Sequence, residues 1–331
     1  MADTIPGTYA LVTPVRDEEE FVERTLASVV AQTILPALWV IVDDGSTDGT
    51  PEIVEGYAAK HDWIRLVRRG SDGVRRVGGG VVLAFNQGWE IARESGCEFV
   101  CKLDGDLIMP PGYFAEMLAL MAADPRLGTV SGKAWYPGAS NVAKSFDGEL
   151  ISEKIQDDVS VGAAKFYRVA ALDDIGGLEP MVMWDGIDCY KMRMLGWRAA
   201  SIDLPRLRFI HLRPMGSSDR GILTGRRRHG LGHWFMRSSF PFFFVSVLRR
   251  LPYRPVLMGS LAILQGYFQA MFSGAPRLAD RELGAYIRRY QRAILTLGRT
   301  AAKARFEADG EAVWQHRLAD RALPPVEAWP H

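Results

Sequence analysis

The first half of the chain alternates short apolar runs with stretches of helical periodicity. Residues 9–13 (Tyr-Ala-Leu-Val-Thr) are nearly all apolar, as a strand buried on both faces requires, and residues 38–42, 64–67 and 99–103 repeat the pattern. Between these runs the apolar positions shift to helical spacing. One helix is expected from Asp17 as cap, with Glu20 three residues on and Phe21, Leu26, Val29 and Val30 on its apolar side; others are expected over 51–60 and 81–94. Such alternation predicts an α/β fold, a mostly parallel sheet with helices on both faces. Ligands of open sheets of this kind bind at the carboxyl ends of the strands. The residues at those ends are Thr13-Pro14, Asp43-Asp44-Gly45-Ser46 and Asp104-Gly105-Asp106.

From about 129 to 203 the pattern is mixed, with a turn at Gly176-Gly177 and a helix expected over 187–195. After His211 the composition changes. No acid occurs between Asp219 and Asp280, while arginine recurs at 220, 226, 227, 228, 237, 249, 250, 254 and 277. Interleaved are the aromatic run 240–244 and the apolar stretch 255–272, diluted by Gly259, Ser260, Gln265, Gly266 and Gln269. Gln265 and Gln269 lie one helical turn apart, which suits a helix lying in a membrane surface better than one crossing it. The expected division is a catalytic unit over 1–215 and a helical extension over 216–331 that attaches to an anionic membrane surface, the alternative being a helical pair packed on the catalytic unit or forming a homodimer interface.

Composition changes this picture little. A net charge of +1 over 331 residues gives no reason to expect nucleic-acid binding. Cys97, Cys101 and Cys189 form no metal-type pair and read as reduced core residues. The first fifteen residues lack a basic stretch followed by a long apolar core, so a cytoplasmic protein is expected, peripheral on the inner face of the membrane.

Four clusters carry candidate chemistry. Carboxylates at Asp43 and Asp44 can accept hydrogen bonds from a base or from ribose hydroxyls, although an Asp-rich turn also serves simply to start the next helix. Asp104 and Asp106, one residue apart with a glycine between, can hold a hard divalent cation that keeps positions open for nucleotide phosphates. Asp185 opens a helix and can act as general base for a sugar hydroxyl, although acids in a first turn also serve as partners of the helix dipole. His211 follows a strand-like run, where a histidine is more often structural than ligating.

Taken in order, these pieces resemble the family 2 glycosyltransferases, with their GT-A (Rossmann-like) fold, over roughly 7–215. The matching stretches are 12–18 (Val-Thr-Pro-Val-Arg-Asp-Glu), 31–33, 42–48, 103–106 followed by 110–113, and Asp185 through Gly196-Trp197. The resemblance implies a metal-dependent, inverting transfer from a nucleotide diphosphate sugar, with Mn2+ or Mg2+ as cofactor. Thr13 and Asp44 are then contacts to the donor, beside Pro14 and with Asp43 in support, and Arg75 or Arg76 approaches the diphosphate. Asp104 contacts ribose or the metal, Asp106 ligates the metal, and His211 completes the metal shell. Asp185 is the implied base, with Asp188 its rival because the usual acid pair is shifted here. The Gln-x-x-Arg-Trp motif of processive synthases is absent, which favours single additions to a lipid-linked or glycan acceptor in polysaccharide or glycolipid biosynthesis. Two alternatives remain: a nucleotidyltransferase that makes sugar nucleotides, whose Gly-rich basic loop after the first strand is missing here, and a catalytically silent sugar-nucleotide-binding protein.

Overall fold

The computed structural model describes residues 5–70, 79–137, 150–213, 221–253 and 255–321. Strands β1 (Ile5–Val15), β2 (Leu38–Asp43) and β3 (Ile64–Arg68) run parallel, joined by α1 (Val22–Val30) and α2 (Thr50–Ala58). Helix α3 (Gly79–Ala92) leads to β4 (Cys97–Leu103), which pairs in parallel with the other edge of β1. Beyond the two-residue β5 (Leu107–Ile108) come α4 (Tyr113–Ala123), β6 (Leu127–Ser131), β7 (Lys133–Pro137), β8 (Leu150–Ser152) and β9 (Ala164–Arg168). Then follow α5 (Val169–Asp174), α6 (Trp184–Met194), β10 (Arg198–Ser201) and β11 (Arg208–His211).

The main sheet has the order β10-β6-β9-β4-β1-β2-β3, and a smaller one has β5-β11-β7-β8. Strand β9 is antiparallel to both its neighbours, a reversal that the mixed pattern of 129–203 did not announce. Both faces of β1 are buried: Tyr9 and Leu11 join the core under α1 and α4, while Ala10 and Val12 join the one under α3. That double burial is why the strand reads as an unbroken apolar run.

The first helix begins later than expected. Asp17 takes a left-handed φ of 53°, and α1 starts at Val22. Its carboxylate accepts from Thr47 N (2.8 Å), while Glu18 N donates to Thr50 Oγ1 (2.8 Å) and Gly49 N to Glu19 Oε2 (3.1 Å). The carboxylates of Asp17 and Glu19, with the backbone N–H of Glu18, therefore hold the 46–50 loop rather than cap a helix. Gly79 and Gly80 form the first turn of α3.

The extension is α7 (Ile222–Phe235), α8 (Phe240–Arg249), α9 (Met258–Phe272), α10 (Arg281–Leu297) and α11 (Arg299–Arg321). Helices α7 and α9 pack backbone to backbone: a Cβ on Gly230 would fall 2.0 Å from Ile263 O, and one on Gly266 1.9 Å from Arg227 O. Helix α6 supplies Ile187 to an apolar cluster with Phe235, Met236, Leu283 and Ile287. Asp158, buried, accepts from Arg299 and from Tyr290 (2.8 Å each), and Trp314 packs edge-on to Trp197 at 4.4 Å. Among the described residues no helix is long and apolar enough to cross a membrane. At 1.5 Å per residue the 15 residues of α9 reach ~22 Å, against a hydrocarbon core of ~30 Å.

One buried histidine gives the extension a pH dependence. His233 is 7% exposed, shares a hydrogen bond with Ser238 Oγ (3.0 Å) and faces the Phe243 ring. Burial, then the charge of Arg250, hold its pKa down to about 3. The folded imidazole is neutral, whereas the unfolded chain takes up a proton below ~6.5, so the stability held above that pH is lost as pH falls toward 3. At pH 5 the loss is on the order of 2 kcal/mol, from ~1.4 kcal/mol per unit. Urea unfolding at pH 7 and pH 5 is expected to show a smaller acid loss for His233→Asn than for the wild type; equal losses would remove His233 as the cause.

Candidate functional site

The carboxyl ends of β1, β2 and β4 lie side by side, since β1 is the partner of both other strands. Asp104 and Asp106 follow β4, and antiparallel pairing of Ile210 and His211 with Ile108 and Leu107 carries His211 across to them. One ligand atom from each of Asp104, Asp106 and His211 lies within 4.8 Å of the others. Two carboxylates and an imidazole at that separation are a donor set of the type that divalent cations accept. The set fits a metal.

The surroundings tune these groups. His211 Nε2 lies 3.4 Å from Asp106 Oδ2, and its Nδ1 lies 3.3 Å from Glu153 Oε1. Arg213 Nε approaches the same Asp106 oxygen at 2.6 Å, and its other arm pairs with Glu18. Burial alone would raise the Asp106 carboxyl, but His211 and Arg213 outweigh it and hold the pKa down to about 2. Burial opposes the charged imidazole of His211, yet Asp106 and Glu153 lift it to about 10. For Glu18, burial and the Asp106 charge prevail over Arg213 and push it up to about 7. The cluster is thus a compact array of alternating charge whose positive members stand where a cation would.

Lys102 connects this array to α6. Its ammonium pairs with Asp104, donates to Gly162 O (2.9 Å) and sits 5.3 Å over the Trp184 ring. Gly162 in turn abuts Asp185, and a Cβ there would fall 2.9 Å from Asp185 Oδ2, so only glycine leaves that carboxylate its position. Asp185 is half-buried, and among the described residues its carboxylate has no hydrogen-bond partner. Trp184 beside it turns into the core, stacked over Lys102 and Lys165.

Asp188 is the opposite case. It is 1% exposed, pairs with Lys165 Nζ at 2.6 Å and accepts from Tyr167 OH at 2.6 Å. Lys165, wholly buried, also donates to the carbonyl of Asp185. Asp185 thus keeps partial exposure, whereas Asp188 is sealed into the core.

At the nucleotide end the picture is mixed. Thr13 is 1% exposed and its hydroxyl accepts from Trp39 Nε1 at 2.9 Å, so that side chain serves the core. Pro14 is half-exposed beside it. Asp43 accepts from Ser46 N (3.0 Å), and Asp44 pairs with Arg69 at 2.7 Å. Arg75 and Arg76 lie outside the described residues.

Residues 10–176, half of the chain, match the profile described as Glycosyl transferase family 2. The chain belongs to this family. As a family 2 member it is 30% identical to the putative glycosyltransferase EpsH of Bacillus subtilis (strain 168) over 109 residues, 33% of this chain and 29% of that protein. It is 28% identical to the poly-beta-1,6-N-acetyl-D-glucosamine synthase of Staphylococcus aureus (strain COL) over 194 residues, 55% of this chain and 45% of that one. The chain thus spans less than half the length of these curated relatives. Among solved structures, GalNAc-T7 with UDP, GalNAc and Mn2+ superposes with a TM-score of 0.51 at 14% identity, over 86% of this chain and 57% of that one. The shared architecture is the GT-A fold expected from the sequence, and membership sets aside the nucleotidyltransferase alternative.

Within this family 2 frame, sequence reasoning passed over Lys102, Glu153, Lys165, Arg213, Glu18 and Arg69. Glu18 stood inside the stretch 12–18 already singled out, and Lys102 and Arg213 within two residues of Asp104 and His211. Glu153 carried no signal, because only the pairing of β7 with β8 brings it to His211.

Proposed function

We propose that the chain is an inverting glycosyltransferase that moves one sugar from a nucleotide diphosphate sugar to an acceptor hydroxyl. The observation that carries this reading is the meeting of Asp104, Asp106 and His211, joined through Lys102 and Gly162 to the half-buried carboxylate of Asp185; the substrate cleft would lie between the two groups. The first three residues would hold a divalent cation, Mn2+ or Mg2+, which when bound offsets the charge of the departing diphosphate. Asp44, Asp43, the backbone at Thr13-Pro14, and Arg75 or Arg76 are the donor-side contacts.

Asp185 takes the proton from the acceptor hydroxyl as its oxygen attacks the anomeric carbon. The bond from that carbon to the diphosphate breaks on the opposite face, and the nucleotide leaves with the electron pair. Lys102 keeps Asp104 aligned, and Lys165 with Asp188 keeps the first turn of α6 in place, so both edges of the cleft are set before substrate arrives. The acceptor class favoured is lipid-linked, presented at the inner face of a membrane to a catalytic unit ending near 215. In a screen of UDP, GDP and dTDP sugars with Mn2+ and Mg2+, one donor is expected to raise the melting temperature only with metal. At ~100 times its Kd it should add ~2.7 kcal/mol. That donor should then turn over to free nucleotide. Metal-dependent binding without turnover would mark a silent sugar-nucleotide-binding protein, and no binding by any donor would refute the proposal.

A further inference from the structure

The unusual surface of the molecule is the outer side of α8 and the turn that follows it. The inner side of α8 is satisfied: Phe243 stacks on Tyr267 at 4.2 Å, and Ser260 Oγ donates to Val247 O at 3.1 Å, so α8 and α9 form an antiparallel pair. The outer side is where a water-facing helix should be polar, yet here Phe240, Phe244 and Leu248 follow one another at four-residue steps. Val256, Leu257 and Met258 extend this face around the turn. All six are 45–59% exposed. Contiguous exposure of this kind marks an interaction surface.

The charges around it name the partner. Arg226, on α7, lies beside the turn: a Cβ on Gly259 would be 3.7 Å from its Nε and 3.6 Å from Pro255. Arg250 closes α8 and donates to the carbonyl of Ser246 at 3.1 Å. Among the described residues neither guanidinium meets a carboxylate, and the sequence offers none from 220 to 279. Burial lowers the pKa of both, and for Arg250 the charge of Arg226 adds to this, as expected of cations packed together without a counter-ion. Apolar side chains beside unneutralised arginines match an anionic bilayer, which offers acyl chains below and phosphates above. A protein partner would need its own acids set into an apolar face.

The turn also adjoins the chemistry. The Tyr253 ring lies 5.0 Å from Lys154 Nζ, and the residue before Lys154 is Glu153, the partner of His211. We propose that the outer face of α8, with residues 250–253 and 255–258, seats in an anionic lipid surface, with lipid phosphates neutralising Arg226 and Arg250. This sets the mouth of the cleft at the headgroups, where a lipid-linked acceptor is presented. That last step rests on the transferase reading; the docking itself does not.

The test is flotation of the full chain with phosphatidylglycerol-rich and pure phosphatidylcholine vesicles, at low and high salt, with sizing of the free protein. Binding is expected to the anionic vesicles, weakened by salt because surface charges are screened. Phe244→Glu with Leu248→Glu should reduce it at least ten-fold, and Arg226→Gln with Arg250→Gln should erase the preference for phosphatidylglycerol. All these side chains are exposed or half-exposed, and unchanged melting curves would confirm that the variants fold. No binding to anionic vesicles at low salt overturns the proposal, as does full binding by the α8 variant. A wild-type dimer that the α8 variant turns into a monomer, without vesicle binding, would assign the face to a second copy instead. Metal-dependent donor binding, measured alongside, should be unchanged in every variant. Its loss from the wild type would strike the transferase reading and leave the docking result standing.

Discussion

Asp106→Asn is expected to leave at most about one part in a hundred of wild-type turnover, and chelation with EDTA should do the same to the unaltered enzyme. The geometry explains the severity. Asp106 stands between His211 at 3.4 Å and Arg213 at 2.6 Å, and it is the acid that balances both. Without it, the Arg213 guanidinium faces the position a divalent ion must take with one acid partner fewer, so repulsion adds to the loss of a ligand. A deficit of ~3 kcal/mol in charge stabilisation, modest for a divalent ion, is already ~10²-fold in rate. His211→Ala should be milder, weakening the metal titration by ~10-fold or more while turnover recovers at saturating metal. Full activity in EDTA would end the metal assignment.

Asp185→Asn is expected to lower kcat by ~10²–10⁴-fold, the range for loss of a general base, with donor affinity unchanged because the residue acts on the acceptor. Asp188→Asn should fail differently. It leaves the buried Lys165 ammonium without its 2.6 Å partner, and breaking such a pair costs on the order of 3–5 kcal/mol of stability. Thermal melts beside steady-state rates separate the two: a normally folded, slow Asp185→Asn and a destabilised Asp188→Asn fit the assignment. A healthy Asp185→Asn with a well-folded, inactive Asp188→Asn would transfer the base role to Asp188.

The strands that carry the acids were legible because doubly buried strands leave unbroken apolar runs, and Asp104 and Asp106 follow one directly. What escaped notice were the neighbours that only tertiary pairing supplies. Nothing near Lys165 in the sequence marks a lysine with no solvent exposure, or links it to an acid 23 positions away. Asp17 misled for a local reason: its pattern fits a cap, but a left-handed backbone at that residue redirects the chain onto the 46–50 loop. Thr13 sits where a nucleotide contact belongs, yet strand alternation turns its hydroxyl inward to Trp39. In the extension, the glutamine pair on α9 was a sound guide to its outer face, whereas the apolar outer side of α8 was hidden within an aromatic run that reads equally well as core.

Helix α6 is a party wall. One flank leans on the sheet through Lys165 and Tyr167, while the other presents Ile187 to Phe235, Leu283 and Ile287 of the later helices. A chain ended just after β11 would bare that second flank to water and slacken the turn that aims Asp185, even with every nucleotide contact retained. The sheet and the helices beyond β11 are thus separate in sequence character but jointly hold the turn that carries Asp185, the proposed base. Strain imposed on the extension from outside would be felt first in the transfer step and last in the hold on the donor.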